Sequence, residues 1–243
     1  MDLVYFTENI IYDPKCRKFR YLESIVNHRN WLKKFDEYGY TEFIDTWKER
    51  LGKNFIKLGI IECGSSGDCL FHSIAEAFNF EHLKAGNIDT LYSVESLREL
   101  SANQVTEENF PVIIESYRLE AESFDFNGDW DPNETKTVND LQIEILIGGN
   151  NFWGDMIILQ LLGEALRCNF IIFRSDVPSI YPTMSNLNKY DKTIMLYYED
   201  NIHFKLVGLF QGNNLQTIHK RLPKFVRDIV EIDTRQNLDL DLH

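Results

Sequence analysis

The period of the apolar positions changes several times along the chain, and each change marks an element. From Cys69 onward, Leu70, Ile74, Ala77 and Phe78 recur at helical spacing and form one stripe. Residues 91–123 keep that spacing, with Val94, Leu97 and Leu100 as a second stripe. A further helix is expected from Asp155 to Arg167, with Asp155 as its N-terminal cap. Asn169 to Arg174 reads Asn-Phe-Ile-Ile-Phe-Arg, a short apolar run of the kind buried strands carry. Thr193 to Tyr198 and Ile202 to Leu209 are strands separated by the turn Glu199-Asp200-Asn201, so the pair makes a hairpin. Near the start, Tyr21 to Phe35 and Tyr40 to Leu51 mix aromatics with charges at helical spacing, and roughly the first 50 residues read as helical. A short helical pattern spans Leu222 to Ile229, and the final Asn-Leu-Asp-Leu-Asp-Leu-His reads as frayed. Helices followed by a helix, a strand and a hairpin describe an α+β domain. The expected organisation is a helical N-terminal extension over residues 1–54, a main domain over 55–212 and a tail over 213–243 with a short helix.

Composition narrows the function classes. The 243 residues are 44% hydrophobic and 26% charged, which is ordinary for a globular chain with a core. The formal net charge of -13 argues against nucleic acid, since phosphate binding relies on Lys and Arg. It suits a basic partner, or simply a solvated surface. Much of the charge falls between Glu120 and Asp140, where seven acidic residues face the single base Lys136, and this stretch reads as a solvated loop or lid. The N-terminus lacks a basic segment followed by an apolar one, so a secretory signal is not expected. No apolar run approaches the roughly 20 residues of a membrane span. Met156 to Leu166 comes nearest and is interrupted by Gln160, Gly163 and Glu164. A soluble, monomeric, cytoplasmic protein is the expectation, which for a viral or bacterial effector means the host cytoplasm. The four cysteines, Cys16, Cys63, Cys69 and Cys168, form no C-x-x-C pair, so neither a metal nor a cofactor is expected. Cys63 and Cys168 read as small buried hydrophobes.

Cys69 has a different setting. The loop Gly64-Ser65-Ser66-Gly67-Asp68 delivers it to the first turn of a helix. Free backbone N–H groups and the helix dipole favour an anion there, and the thiolate is the nucleophilic form of cysteine. The N–H groups of Ser66, Gly67 and Cys69 could also hold an oxyanion, and Gly67 allows a close approach to a substrate carbonyl. A buried cysteine behind a glycine turn fits the local pattern as well. A cysteine nucleophile needs a base. Of six histidines, His203 stands just past a turn at the start of a hairpin strand, where a rigid frame can aim it. Alternation puts His203, Lys205 and Val207 on one strand face and Phe204 and Leu206 on the other. His72, on the same helix as Cys69, reads as a packing residue.

Three blocks resemble the ovarian-tumour (OTU) family of deubiquitinating cysteine proteases. Gly67-Asp68-Cys69-Leu70-Phe71-His72-Ser73-Ile74 resembles the family's Asp-Gly-x-Cys-Leu-Phe-Arg-x signature at the start of its central helix. Trp153-Gly154-Asp155 and the helix from Ile158 to Leu166, followed by Asn169-Phe170-Ile171-Ile172-Phe173, resemble its Trp-Gly block with the helix and strand that follow. Ile202-His203-Phe204-Lys205-Leu206-Val207 is similar to its closing His-Tyr-Asn-Leu-Val strand. The order is the family's, over residues 58–209.

The resemblance implies a papain-like OTU fold with a small central sheet flanked by helices, and residues 55–212 as the catalytic domain. It implies thiol-dependent cleavage of isopeptide bonds at the C-terminus of ubiquitin, in polyubiquitin chains or on a ubiquitin-like modifier. It makes Cys69 the nucleophile, His203 the base and Trp153 a neighbour of the substrate. Two positions depart from the pattern. The family's Asp three residues before the cysteine is Ser66, and its Asp or Asn two residues after the histidine is Lys205, a cation expected to repel an imidazolium. Candidates for the group that orients His203 are Asn201, Asp200 or Asp68. The competing expectations are an OTU-like module that binds ubiquitin or another protein without cleaving it, and a papain-like peptidase with an unrelated substrate.

Overall fold

The computed structural model describes residues 4–7, 10–13, 18–21, 39–64, 66–85, 87, 90–123, 126–182, 189–211 and 214–240. Strands β1 (Val4–Thr7), β2 (Ile10–Asp13) and β3 (Lys18–Tyr21) form a three-stranded antiparallel sheet inside the stretch expected to be helical. The sequence explains the correction: Val-Tyr-Phe-Thr and Ile-Ile-Tyr are β-branched and aromatic runs too short for a helical period. The helix expected from Tyr21 to Phe35 lies, beyond Tyr21, outside the described residues.

A larger mixed sheet carries the rest. Strands β4 (Tyr40–Thr41), β5 (Leu58–Ile61), β6 (Asn169–Arg174), β7 (Ile180–Pro182), β8 (Thr193–Glu199) and β9 (His203–Gln211) lie in the order β4-β5-β9-β8-β6-β7. Only β6 and β8 pair in parallel along this path. Two short strands, β10 (Asn214–Gln216) and β11 (Ile218–His219), pair with β9 and β8. Among the described residues the helices are α1 (Asp45–Leu51), α2 (Cys69–Lys84), α3 (Val94–Asn103), α4 (Phe110–Ser123), α5 (Val138–Leu146), α6 (Met156–Leu166) and α7 (Lys224–Leu240).

Apolar side chains leave the sheet on both faces, which is why its strands read as unbroken hydrophobic runs. Ile61, Phe170, Ile172, Ile194, Leu196, Phe204 and Leu206 join one core with α2 to α6. Ile60, Ile171, Phe173, Met195, Tyr197, Val207 and Leu209 join a second core with Phe43, Trp47 and Leu51 from the α1 region and Val226, Ile229 and Val230 of α7. The alternation follows the two-residue period of each strand. This arrangement corrects the expected boundaries. Burying a side chain such as Phe43 or Leu51 is worth roughly 1.5–3 kcal/mol, and Trp47 also donates its indole N–H to Arg174 O at 2.6 Å. Residues 40–54 and the helix of the tail therefore belong to the same packed body as 55–212, and α7 is longer than the short helix expected.

The expected helix over residues 91–123 is two. Thr106 and Asn109 exchange side-chain-to-backbone hydrogen bonds at 2.8 and 3.4 Å, and the Asn109 amide donates to Gln104 O. Such local bonds compete with the helical ladder and turn the chain between α3 and α4. The acidic stretch is not simply solvated either. Trp130 is buried, stacks on Phe152 at 5.3 Å and meets Tyr117 and Phe126 edge-on. The expected cap of α6 is present, with the Asp155 carboxylate accepting from Ile158 N–H at 2.9 Å. At the β8–β9 turn, Asp200 and Asn201 have φ of 52° and 59°, the two left-handed residues that a tight hairpin loop needs.

Candidate active site

Cys69 opens α2 with its side chain 1% exposed, after a single 3-10 turn over Ser66–Asp68. That turn is pinned at two points. Gly67 O accepts from Gly154 N–H at 3.1 Å, and a Cβ on Gly67 would stand 2.0 Å from Gly149 O, so no other residue fits. Asp68 accepts from Arg98 Nε at 2.9 Å, from an Arg98 terminal nitrogen at 2.6 Å and from Gly149 N–H at 2.9 Å. Arg98 is 1% exposed, donates to Ile145 O and Phe152 O at 2.7 and 2.8 Å, and lies over the Phe71 ring. The guanidinium thus ties the turn before Cys69 to the segment leading into Trp153. It also balances the carboxylate that sits one residue from the thiol.

The N-terminal end of β9 meets this helix end. Phe204 N–H donates to Cys69 Sγ at 3.4 Å, and Ser73 Oγ lies 2.9 Å from Cys69 O and 3.3 Å from Phe204 O. His203, one residue earlier, stands beside the Cys69 thiol and places Nε2 2.6 Å from Glu62 Oε1. With Nε2 on the carboxylate, Nδ1 is the nitrogen left for sulfur. The interaction with Cys69, and then the hydrogen bond with Glu62, push the His203 pKa up to about 10. Partial burial pushes the Glu62 carboxyl up, but the hydrogen bond and charge of His203 and the charge of Lys205 outweigh it, and the net shift is downward.

Glu62 was not among the residues expected to orient His203. It stands one residue past β5, and Ile61 pairs with Leu206 across an antiparallel ladder. One further step in that register sets Glu62 opposite Lys205, diagonal to His203 and on the same face. Its local signal is slight: a single carboxylate between the apolar strand and the glycine-rich loop.

The residues expected in that role do other work. Asn201 lies exposed in the hairpin turn, and its carbonyl accepts the Tyr198 hydroxyl at 2.5 Å. Asp200, also exposed, donates its N–H to Ser175 Oγ. Asp68 is engaged by Arg98. Lys205 does not stand as an uncompensated cation: its ammonium is 2.7 Å from Glu199 Oε2 and 3.4 Å from Glu62 Oε2. Ser66 and Gly67 lie in the 3-10 turn, and Cys69 opens α2 directly after it. Trp153 packs beside Gly67, whose added Cβ would lie 3.1 Å from the indole ring. Cys63 and Cys168 are buried cysteines, and burial pushes the Cys168 thiol up to about 12. Cys16 lies outside the described residues.

A shallow cleft on the Trp153 side of the site is lined by Tyr117, Glu120, Asn127, Trp153, Gly154, Asp155, Tyr198 and Ile202. Burial, and then the charges of Asp155 and Cys69, push the Tyr198 hydroxyl up to about 12. Burial also raises the Asp155 carboxyl to about 6. Its lining combines aromatic side chains, Tyr117, Trp153 and Tyr198, with the acidic Glu120 and Asp155.

A thiol at a helix N-terminus, an imidazole against it and a carboxylate behind the imidazole are the groups with which cysteine peptidases carry out acyl transfer. The chain belongs to the family of OTU-like cysteine proteases, whose family model matches residues 64–204. The α+β fold expected from the sequence is the one observed. Among solved structures, the chain is similar to an OTU domain in complex with ubiquitin, with 23% identity over 74% of this chain and 83% of that one and a TM-score of 0.47. It is also similar to an OTU deubiquitinase from Wolbachia pipientis wMel, with 12% identity over 71% and 96% and a TM-score of 0.43. The viral OTU domain protease from Dera Ghazi Khan virus matches with 15% identity over 64% and 83% and a TM-score of 0.41. No curated protein matches the chain.

Proposed function

We propose that the protein is a thiol-dependent deubiquitinase that hydrolyses isopeptide bonds at the C-terminus of ubiquitin or a ubiquitin-like modifier. The observation that carries this reading is the Cys69–His203–Glu62 chain of contacts at the site of an OTU-like cysteine protease. Cys69 and His203 rest as a thiolate–imidazolium pair, the sulfur's proton already on the ring, and the thiolate attacks the carbonyl carbon of the terminal glycine. The oxyanion is held by N–H groups of the Ser66-to-Cys69 turn. The His203 imidazolium protonates the lysine amine as the C–N bond breaks and leaves a thioester on Cys69. A water molecule then gives a proton to His203 and adds to the thioester, and Cys69 departs as thiolate with the glycine carboxylate released. Glu62 acts through His203 as a positioning residue, fixing Nε2 as the nitrogen that faces away from sulfur. Glu120 in the cleft is suited to a basic side chain of the modifier's tail.

Ser66 and Lys205 were the departures that favoured a decayed, non-cleaving module; the pairing of Lys205 with Glu62 and Glu199 weighs against that reading. The test is cleavage of isopeptide-linked diubiquitin followed against pH. A His203 pKa raised from 6.5 to about 10 keeps the imidazolium, the donor to the leaving amine, through neutral pH and loses it above that value. The expected kcat/KM therefore holds up through the neutral range and falls as pH passes about 10. Absence of cleavage at every pH and for every linkage and modifier tried would overturn the proposal.

A further inference from the structure

In a β-strand the N–H and C=O of one residue point to the same side, and those of the next residue to the other. Strand β9 runs between β8 and β5, and β5 stops at Ile61, opposite Leu206. Phe204, two residues earlier on β9, turns its polar groups to the same side as Leu206, and no strand of the described residues lies there. Buried backbone groups are costly to leave unpaired. The first turn of α2 takes the place of the missing strand. Cys69 Sγ accepts the Phe204 N–H at 3.4 Å, and the Ser73 hydroxyl stands 3.3 Å from Phe204 O and 2.9 Å from Cys69 O. The Phe204 ring is 1% exposed and stacks on Tyr198 at 4.3 Å, so the residue is anchored with its N–H on the sulfur. Cys69 is itself 1% exposed. A thiolate withdrawn from water depends on fixed donors, because burial without them favours the neutral thiol.

We propose that the Phe204 main-chain N–H is a catalytic group of this site, a fixed donor that stabilises the Cys69 thiolate alongside the His203 imidazolium. This rests on Cys69 being the nucleophile of the proposed reaction. The donor acts twice: it raises the thiolate fraction before attack, and it favours sulfur as the leaving group when water adds to the thioester. No side chain announces such a group, since every residue except proline would bring the N–H to position 204. The end of β5 is what leaves it for the sulfur. A bond that only held β9 against α2 would reach the thiol through His203 alone, and that difference sets the test.

The experiment replaces the amide by an ester, Phe204→phenyllactic acid, which removes the N–H, keeps the side chain and changes no charge. Alkylation of Cys69 by iodoacetamide is followed against pH and located by peptide mass mapping. No ubiquitin is involved, so failure of the deubiquitinase reading leaves this test intact. The acid limb should move to higher pH by about one unit, since two or three backbone N–H bonds take a carboxyl from about 4 to below about 2. On that limb alkylation should slow about tenfold. The corresponding ester at Leu206 removes an N–H that faces Ile61 rather than sulfur, and it should leave the limb in place. In His203→Ala the Phe204 ester should produce a shift of similar size, because the donor acts on sulfur directly. A limb that does not move, an equal shift from the Leu206 ester, or a shift that vanishes without His203 overturns the proposal. If the ester protein does not fold, the isotope-labelled Phe204 amide of the His203→Ala protein is followed by NMR instead. Its proton should move downfield with the midpoint of Cys69 alkylation, and an amide indifferent to that ionisation overturns the proposal equally.

Discussion

Replacement of Glu62 by alanine should lower kcat/KM for isopeptide cleavage roughly 10²-fold while leaving the melting temperature close to that of wild type. Loss of the orienting aspartate in a serine triad costs roughly 10⁴-fold. A thiol depends less on its base, because cysteine is partly ionised near neutral pH and intrinsically more nucleophilic. The fold should tolerate the change, since the Glu62 side chain is half exposed and closes no core contact. The effect should also have a direction in pH. Glu62 favours the charged imidazole, so its removal should bring the alkaline limb of kcat/KM down from about 10. Glu62→Gln should fall between the two, because an amide oxygen still accepts from Nε2–H. An alanine variant with wild-type kcat/KM and an unmoved limb would show that His203 is oriented by some other group.

The second large effect concerns stability. Arg98→Leu leaves Asp68 without its cation and strips a donor from both Ile145 O and Phe152 O. Breaking a buried ion pair from one side costs about 3–5 kcal/mol. Asp68 keeps some contact with water and the Gly149 N–H, which argues for the lower figure. At about 2–4 °C per kcal/mol for a domain of this size, the melting temperature should drop by roughly 6–12 °C. Activity should fall with it, because the turn before Cys69 loses its tie to the Trp153 segment. Arg98→Lys should recover only part of either loss, since one ammonium cannot reach a carboxylate and two carbonyls in the fork geometry. An Arg98→Leu protein that melts within a degree or two of wild type would mean that the ion pair is not what fixes the turn.

These two residues show where the sequence stops being informative. Helix α6, strand β6 and the β8–β9 hairpin are written in local patterns, with a cap, a short apolar run and two strands around a turn, and they lie where those patterns put them. Cys69 and His203 were legible for the same reason, since each stands at the edge of a locally coded element. Glu62 and Arg98 were not. Glu62 reaches His203 across 141 positions, and only the register between β5 and β9 brings it there. Arg98 sits in a helix with an apolar stripe and looks like part of its polar face, yet it is buried against Asp68, 30 residues away. The missing family carboxylates at Ser66 and Lys205 told of a gap without telling what filled it. Near the N-terminus, aromatic residues spaced among charges suggested helix, while the short β-branched runs make strands.

The most direct test of the central claim is covalent capture with ubiquitin carrying an electrophile at its C-terminus. The wild-type protein should gain one ubiquitin, attached at Cys69 by mass mapping, and Cys69→Ala should gain none. A wild-type protein that stays unlabelled under conditions where an established cysteine isopeptidase reacts fully, or a label that persists in Cys69→Ala, would contradict the account.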